Sequence, residues 1–407
     1  MDSRARLHCE LTGFLRQHCP VRDQRHLVLL AWMVAGLLLS ETVCFDRWKA
    51  RLPLAYCLAA SWQRRCGRWL ANGRIDVEAL YGPLILWAIQ QWQNQGHTLH
   101  LALDTTMLWN RFCVVVVSVV AHGRAIPLLW QTLEHSSASV SASVAIALLE
   151  KADQLLARFE AITLLADRAF PCDELIAWFK SRPRWSYVMR LRGDTEIHGT
   201  AAPLGCQVRK LQLLRGQCRG FRGVRLWADG SQSANLVIAH PTGLPVEEPW
   251  YLISNRAADL DLVWSYEKRF CCEQLFRDQK SGVFQLASSG LRDPRRIDRL
   301  LLVVAIAVLA GSLQGYALSL AGLRRQVDPH WKRGMSFLRI GLAALQMAVA
   351  DATARLMAWL PIAIQELEPC IPSRRARRRQ AQAWFSTIEM PPRLRSVADQ
   401  TPQLAIT

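Results

Sequence analysis

The residues best placed to do chemistry are three acids, Asp104, Asp167 and Glu273. Asp104 follows the apolar stretch His97–Leu103 in Leu103-Asp104-Thr105-Thr106. Asp167 follows Ile162–Ala166 in Ala166-Asp167-Arg168-Ala169-Phe170. Both stretches read as strands, and side chains at the carboxyl ends of sheet strands stand at the rim where ligands bind. An Asp in that position also starts turns, so either residue alone is ambiguous. Two at matching places on strands expected to be neighbours point to a site. The third acid lies on a helix expected from about Asp261 to Lys280. There Tyr266, Arg269, Glu273 and Lys280, at about 100° per residue, share a stripe about 60° wide along about 21 Å of helix. Arg277 joins that face. A solvated charged face gives the same pattern, but Trp264, Phe270 and Leu275 crowd the helix, which therefore reads as packed.

Three carboxylates crowd together only if something offsets their repulsion, and divalent cations do so. Mg²⁺ takes oxygen ligands and keeps positions for water and phosphate. Two such ions about 3.5–4 Å apart activate an attacking oxygen and stabilise a leaving one. The expected arrangement has Asp104 bridging two Mg²⁺ ions, with Asp167 and Glu273 each holding one and Mn²⁺ able to substitute.

The pattern Tyr266-x2-Arg269-x3-Glu273-x6-Lys280, with both Asp contexts in the same order, resembles a known signature. It is the Tyr-Arg-Glu-Lys (YREK) signature of a group of bacterial insertion-sequence transposases of the DDE class, named for a catalytic Asp-Asp-Glu. The match covers about residues 97–290, while the chain on either side fits the group's layout loosely. The resemblance implies a ribonuclease H-like catalytic core with an inserted β subdomain before the last acid. It implies catalysis by Asp104, Asp167 and Glu273, and contacts from Tyr266, Arg269 and Lys280 to phosphates at the transposon end. Arg277 and Arg168 are read with these as DNA contacts. The implied reaction is DNA transposition: water cleaves a phosphodiester and frees a 3′-OH, which then attacks another strand, with no covalent protein–DNA intermediate. Some relatives cut through a hairpin and stack a flipped base on an aromatic of the insertion. Trp227 and Trp250 are candidates for that role, although core packing is the commoner role of a tryptophan. The implied partners are DNA, as inverted-repeat ends and target, and a second copy of the chain in the DNA complex. The implied location is the bacterial cytoplasm, on the nucleoid when bound to DNA. Two other readings of the same residues stand open: a nuclease on this fold without strand transfer, and an inactive transposase-derived DNA-binding protein.

The elements that must position the acids follow from periodicity. Between residues 93 and 191 the order is β-β-β-α-β-α-β, which suits a mixed α/β sheet with helices on both faces. The Val-rich stretch Arg111–Ala121 reads as a buried strand, and Ala125–Trp130 as its neighbour after a turn at Gly123. Ser139–Arg158 and Cys172–Lys180 read as helices, Trp185–Arg190 as a strand. Roughly a hundred residues separate Asp167 from Glu273, far more than one strand and one helix need, so an insertion is expected between them. It is placed at 192–249, β-rich and basic. The core resumes at 250–290 with strand Trp250–Ser254 and the helix of Glu273. Residues 1–92 read as a DNA-binding domain of about three helices, where Trp62-Gln-Arg-Arg-Cys-Gly-Arg-Trp-Leu mixes aromatics with Arg. Residues 291–370 read as a C-terminal helical region and 371–407 as a flexible basic tail, carrying Ser373-Arg-Arg-Ala-Arg-Arg-Arg.

Composition bounds the rest. Lys and Arg total 50 against 33 acids, a formal charge of +17, which suits a polyanionic partner. The 12 cysteines include no C-x-x-C pair, so neither a zinc site nor a disulfide framework is indicated, and reduced thiols are expected. Two apolar runs, Leu27–Leu39 and Leu300–Ala310, fall short of the roughly 20 residues that span a bilayer. They read as core helices, with no membrane expected.

Overall fold

The computed structural model describes residues 3–391 except 22, 55–56, 95, 200–201, 243–245, 330–334, 352–355 and 366–383. The Arg-rich run 374–379 of the expected tail therefore lies outside the described residues. Among the described residues the N-terminal region forms five α-helices, where about three were expected: α1 (Ser3–His18), α2 (Gln24–Ser40), α3 (Phe45–Arg51), α4 (Ala59–Ala71) and α5 (Val77–Ala88). Two of them start on a capping carboxylate: Asp23 accepts from the Arg25 amide and Asp76 from those of Glu78 and Ala79. Such caps satisfy amides that a helix start leaves unpaired. Helix α2 holds the run Leu27–Leu39 and buries it on nearly all sides.

Next come β1 (Thr98–Leu108), β2 (Phe112–Ala121), β3 (Arg124–Glu134), α6 (Ala142–Leu155), β4 (Ala161–Ala166), α7 (Asp173–Lys180) and β5 (Trp185–Arg190). Strands β6 (Glu196–Gly199), β7 (Ala202–Gln207), β8 (Gln217–Leu226), β9 (Gln232–His240) and β10 (Trp250–Ser254) follow. The chain then forms α8 (Leu260–Glu267), α9 (Cys271–Arg277), α10 (Pro294–Leu320), α11 (Phe337–Ala350) and β11 (Thr387–Glu389). The fold is mixed α/β around one large sheet, in the order β3-β2-β1-β4-β5-β10-β9-β8-β6-β7, with β11 on β8. Strands β1, β2 and β3 are antiparallel neighbours, and β4 and β5 continue parallel to β1. Every residue of β2 is buried. Because alternate side chains of a strand face opposite sides, both faces of the sheet are covered there.

The stretch 192–249 does not form a sheet of its own. Its last strand, β9, pairs antiparallel with β10, and β8, β6 and β7 add on beyond it. The physical reason is that β10 would otherwise leave an open sheet edge, and a row of unpaired backbone groups is satisfied by the next strand. Part of the expected tail is also tied down. Strand β11 pairs parallel with β8, and Trp384 and Phe385 are buried, with the Trp384 ring 5.0 Å from that of Trp264.

Helix α10 carries the second apolar run. It is long and apolar enough to cross a membrane, yet 94% of that apolar stretch is buried within the fold. Asp298 on its first turns accepts from the Thr132 amide at 3.0 Å and its hydroxyl at 2.6 Å, fastening α10 to β3. Arg299 donates to the carbonyls of Leu70 and Ile75, fastening it to the end of α4. Further along, α10 and α11 cross at their glycines. A Cβ on Gly341 would lie 1.8 Å from the Gly311 carbonyl oxygen, and one on Gly315 would lie 1.9 Å from that of Phe337. Both obstacles are backbone, so neither can rotate away. Gly341→Ala is therefore expected to destabilise the chain by at least the ~1–3 kcal/mol of ordinary overpacking, read as a lower midpoint in urea unfolding. An unchanged midpoint would show that the helices do not approach there.

Candidate functional site

Strand β1 does not end at Asp104, as the sequence suggests; it runs on to Leu108. What ends is its parallel pairing with β4, at Leu103 opposite Ala166. Asp104 and Asp167 are the next residues on the two strands, so the register sets them side by side at the rim. Each carboxylate accepts from the following amide, Asp104 from Thr105 at 2.8 Å and Asp167 from Arg168 at 2.5 Å.

The helix expected at 261–280 is interrupted twice. A 3-10 turn, Lys268–Phe270, separates α8 from α9, and a π turn, Asp278–Gly282, follows α9. Tighter and looser turns change the angle per residue, yet Tyr266, Arg269 and Glu273 remain neighbours: Arg269 lies against the Tyr266 ring and pairs with Glu273 four residues on. Their exposure differs. Tyr266 is fully buried beside the Arg269 guanidinium. Arg269 points inward and is buried. Glu273 is exposed, and Lys280 is half-buried in the π turn, where burial holds its ammonium below the usual range. Arg277 is exposed.

The Arg269 guanidinium is the centre of the site. It donates from Nη1 to Asp104 Oδ2 at 2.9 Å and from Nη2 to Glu273 Oε1 at 3.0 Å. It lies 4.9 Å from the Phe270 ring centre and 5.7 Å from that of Tyr266. Burial works against its charge, but Tyr266, Asp104, Asp167 and Glu273 outweigh that and hold its pKa above the usual value. Burial pushes the Asp104 carboxyl up to about 6. Arg269 and the Thr105 amide oppose the rise, and the charges of Asp167 and Glu273 add to it. The structure thus brings all three acids around one cation.

That cation bears on the expected Mg²⁺. The carboxylate oxygens are the donors such an ion takes, but Arg269 already bridges two of them. Among the described residues no group of three or more His, Cys, Asp and Glu is spaced to hold a metal ion. As placed, the acids do not form a metal cage, and the neutralising charge is the guanidinium.

Other expected site residues have different neighbours. Trp250 is buried against Tyr266 and Phe270, with ring centres 5.4 and 5.7 Å away. It has no open face for a flipped base, so the role proposed for it is corrected to core packing. Its strand, β10, is interior to the sheet, which is why it is enclosed. Tyr266, expected on phosphate, is likewise closed off. Trp227 is half-buried, with φ of 63° at the end of β8. Arg168 faces Glu248 at 3.7 Å, and Arg190 faces the same carboxylate at 3.5 Å. Arg190 is a residue that sequence reasoning did not select. Its signal was present, since it closes β5, the third parallel strand, at the same rim as Asp104 and Asp167.

No protein-family model matches the chain, and no curated protein matches it. Among solved structures, a cryo-EM piggyBac transposase synaptic complex with hairpin DNA is similar over 98% of this chain and 86% of its own, at 12% identity and a TM-score of 0.38. The catalytic domain of human endonuclease V is similar over 65% of this chain and 97% of its own, at 15% identity and a TM-score of 0.26. A second human endonuclease V structure covers 60% and 95%, at 13% identity and a TM-score of 0.24. Scores this low place the chain in no family.

The raised Asp104 value sets a pH dependence. A carboxyl that holds its proton more tightly when folded favours folding below both pKa values. That contribution is lost as pH rises from 3.8, the ordinary value, to about 6. The stability of the wild type relative to Asp104→Asn should therefore fall across this window and stay level above it, measured by urea unfolding at each pH. A level difference throughout would put Asp104 at its ordinary value.

Proposed function

We propose that the chain is a DNA transposase of the DDE class, built on a ribonuclease H-like core, with Asp104, Asp167 and Glu273 as its catalytic acids. The observation that carries the reading is their convergence: two acids in register where parallel pairing ends, and a third held to the first through one buried guanidinium. The strand order β3-β2-β1-β4-β5, antiparallel then parallel, supports the ribonuclease H-like core.

On this reading the substrate is DNA, as insertion-sequence ends and target, and two copies of the chain act together to join two ends. Lys280 offers a phosphate a point charge, while the fork of Arg269 is taken by Asp104 and Glu273 and positions those acids. Arg277 and Arg168 are further cations on the exposed side. Water attacks a phosphodiester and gives up a proton, the P–O3′ bond opposite it breaks, and the leaving O3′ takes up a proton to become a free 3′-OH. In the joining step the freed 3′-OH replaces water and exchanges one phosphodiester for another. Dependence on Mg²⁺ or Mn²⁺ belongs to the proposal by resemblance alone.

Asp104→Ala, Asp167→Ala and Glu273→Ala should each abolish cleavage of end-containing DNA while largely sparing its binding. Cleavage should also stop when EDTA removes divalent ions. Strand transfer that survives Glu273→Ala would overturn the assignment. Cleavage by the wild type with no joined product would leave a nuclease without strand transfer. Lys280→Ala should weaken binding to cleaved ends and lower the slope of log affinity against log salt by about one contact's worth, ~0.9. An unchanged slope would show that Lys280 meets no phosphate.

A further inference from the structure

A cavity of about 470 Å³ opens between α4 and the first turn of α10, lined by Ser61, Arg64, Gly67, Arg68, Ala71 and Arg296. It shares no residue with the carboxylate site. Residues 64, 67, 68 and 71 recur at helical spacing, so one face of α4 forms a wall. Three arginines line the cavity and no acid does. Two of them hold backbone carbonyls, which does not neutralise them. Arg64 Nε donates to the Ala60 carbonyl at 3.2 Å, and Arg296 Nη2 donates to the Gly67 carbonyl at 3.2 Å. Arg296 Nε is buried with no partner among the described residues. The two acids nearest Arg296 in sequence are engaged elsewhere: Asp293 accepts from the Arg296 amide as the helix cap, and Asp298 accepts from Thr132. Gly67 sits inside α4, where glycine costs about 1 kcal/mol relative to alanine. A Cβ there would lie 4.0 Å from Arg296 Nη2, so a longer side chain at this position would grow into the cavity.

We propose that this cavity grips the phosphodiester backbone of duplex DNA, as a contact separate from the carboxylate site. The inference rests on the reading of the chain as a DNA-processing enzyme. Guanidinium forks match phosphate oxygens, and three of them around one opening exceed what a solvated surface needs. The same two segments extend the charge outward, with Arg65 and Arg74 exposed on one side and Arg292 and Arg295 on the other. A string of cations wider than the cavity suits a polymer of phosphates better than a single one.

The test uses the full chain and a mixed-sequence fluorescent duplex, titrated across a salt series. Two variants are compared with the wild type: Arg64→Gln/Arg68→Gln, and Ala71→Glu, which leaves every arginine in place and sets a negative charge at the wall. Thermal melts establish that each variant folds. The double variant should bind the duplex on the order of tenfold more weakly, with a salt slope smaller by roughly two contacts, about 1.8, and Ala71→Glu should weaken binding in the same direction. A steep wild-type slope left unchanged in both variants would overturn the cavity while leaving the DNA reading standing. A wild type that binds no duplex would overturn both. Inorganic phosphate provides the remaining arm. Should it raise the melting temperature of the wild type but not of the double variant, with duplex binding equal in the two, the cavity serves a small phosphate compound and the DNA assignment falls.

Discussion

The site depends on one buried guanidinium. Removing a charge from water costs several kcal/mol unless partners repay it, and Arg269 is repaid by Asp104 and Glu273 at hydrogen-bond distance and by two aromatic rings. The dependence is mutual. Asp104 is already pushed toward neutrality by burial and by two neighbouring carboxylates, and Arg269 is the charge that opposes this most. One side chain therefore ties the sheet rim to the helical segment and holds Asp104 and Glu273 together. The break in that segment fits the same constraint. Arg269 lies in the 3-10 turn between α8 and α9, where the backbone departs from the regular helix while its side chain turns inward and Glu273, one turn on, stays exposed. Their contact survives the break, since Glu273 still pairs with Arg269 four residues away.

The legible parts of the sequence were those set by local pattern. Buried parallel strands read as apolar runs, and a lone acid after each run marks where pairing stops, so Asp104 and Asp167 could be placed as neighbours. Val-rich β2 and apolar α2 and α10 were legible for the same reason. The illegible parts depend on partners distant in the chain. Arg269 carries the spacing of a phosphate contact, and nothing near it in sequence reveals that Asp104 will claim it. Thr105 and Thr106 look like the end of a strand, yet β2 pairs with both and carries β1 onward. The basic stretch 192–249 looks separate from the core, and only the pairing of β9 with β10 makes it part of the same sheet. Trp384 and Phe385 stand within a polar tail, and their burial depends on Trp250 and Trp264, more than a hundred residues earlier.

The continuous sheet has a consequence for the rim. Glu248, on the approach to β10, faces both Arg168 after β4 and Arg190 at the end of β5. Glu248 and Arg168 are exposed, although Arg190 is mostly covered, and ion pairs open to solvent contribute little to stability. Their effect is on charge: one acid from the far side of the insertion screens two cations beside Asp167. A phosphate arriving at the rim competes with that acid for the same guanidinium groups, and screening by salt weakens both interactions together.

Helix α10 resolves the tension between a strongly basic chain and a long apolar segment. Its length and composition would suit a bilayer, but the apolar surface is taken up within the fold by α2, α11 and β3. Glycine crossings with α11 bring the backbones closer than side chains would permit. Its polar residues gather at the first turns, where Asp298 meets Thr132 and Arg299 meets the carbonyls that end α4. The helix that fills the core thus also fixes the N-terminal helices to the sheet. Arg296 stands just before those two anchors, and that is why the arginine cavity forms at this junction: its wall belongs to α4, its floor to α10, and the bonds of Asp298 and Arg299 hold α10 in place.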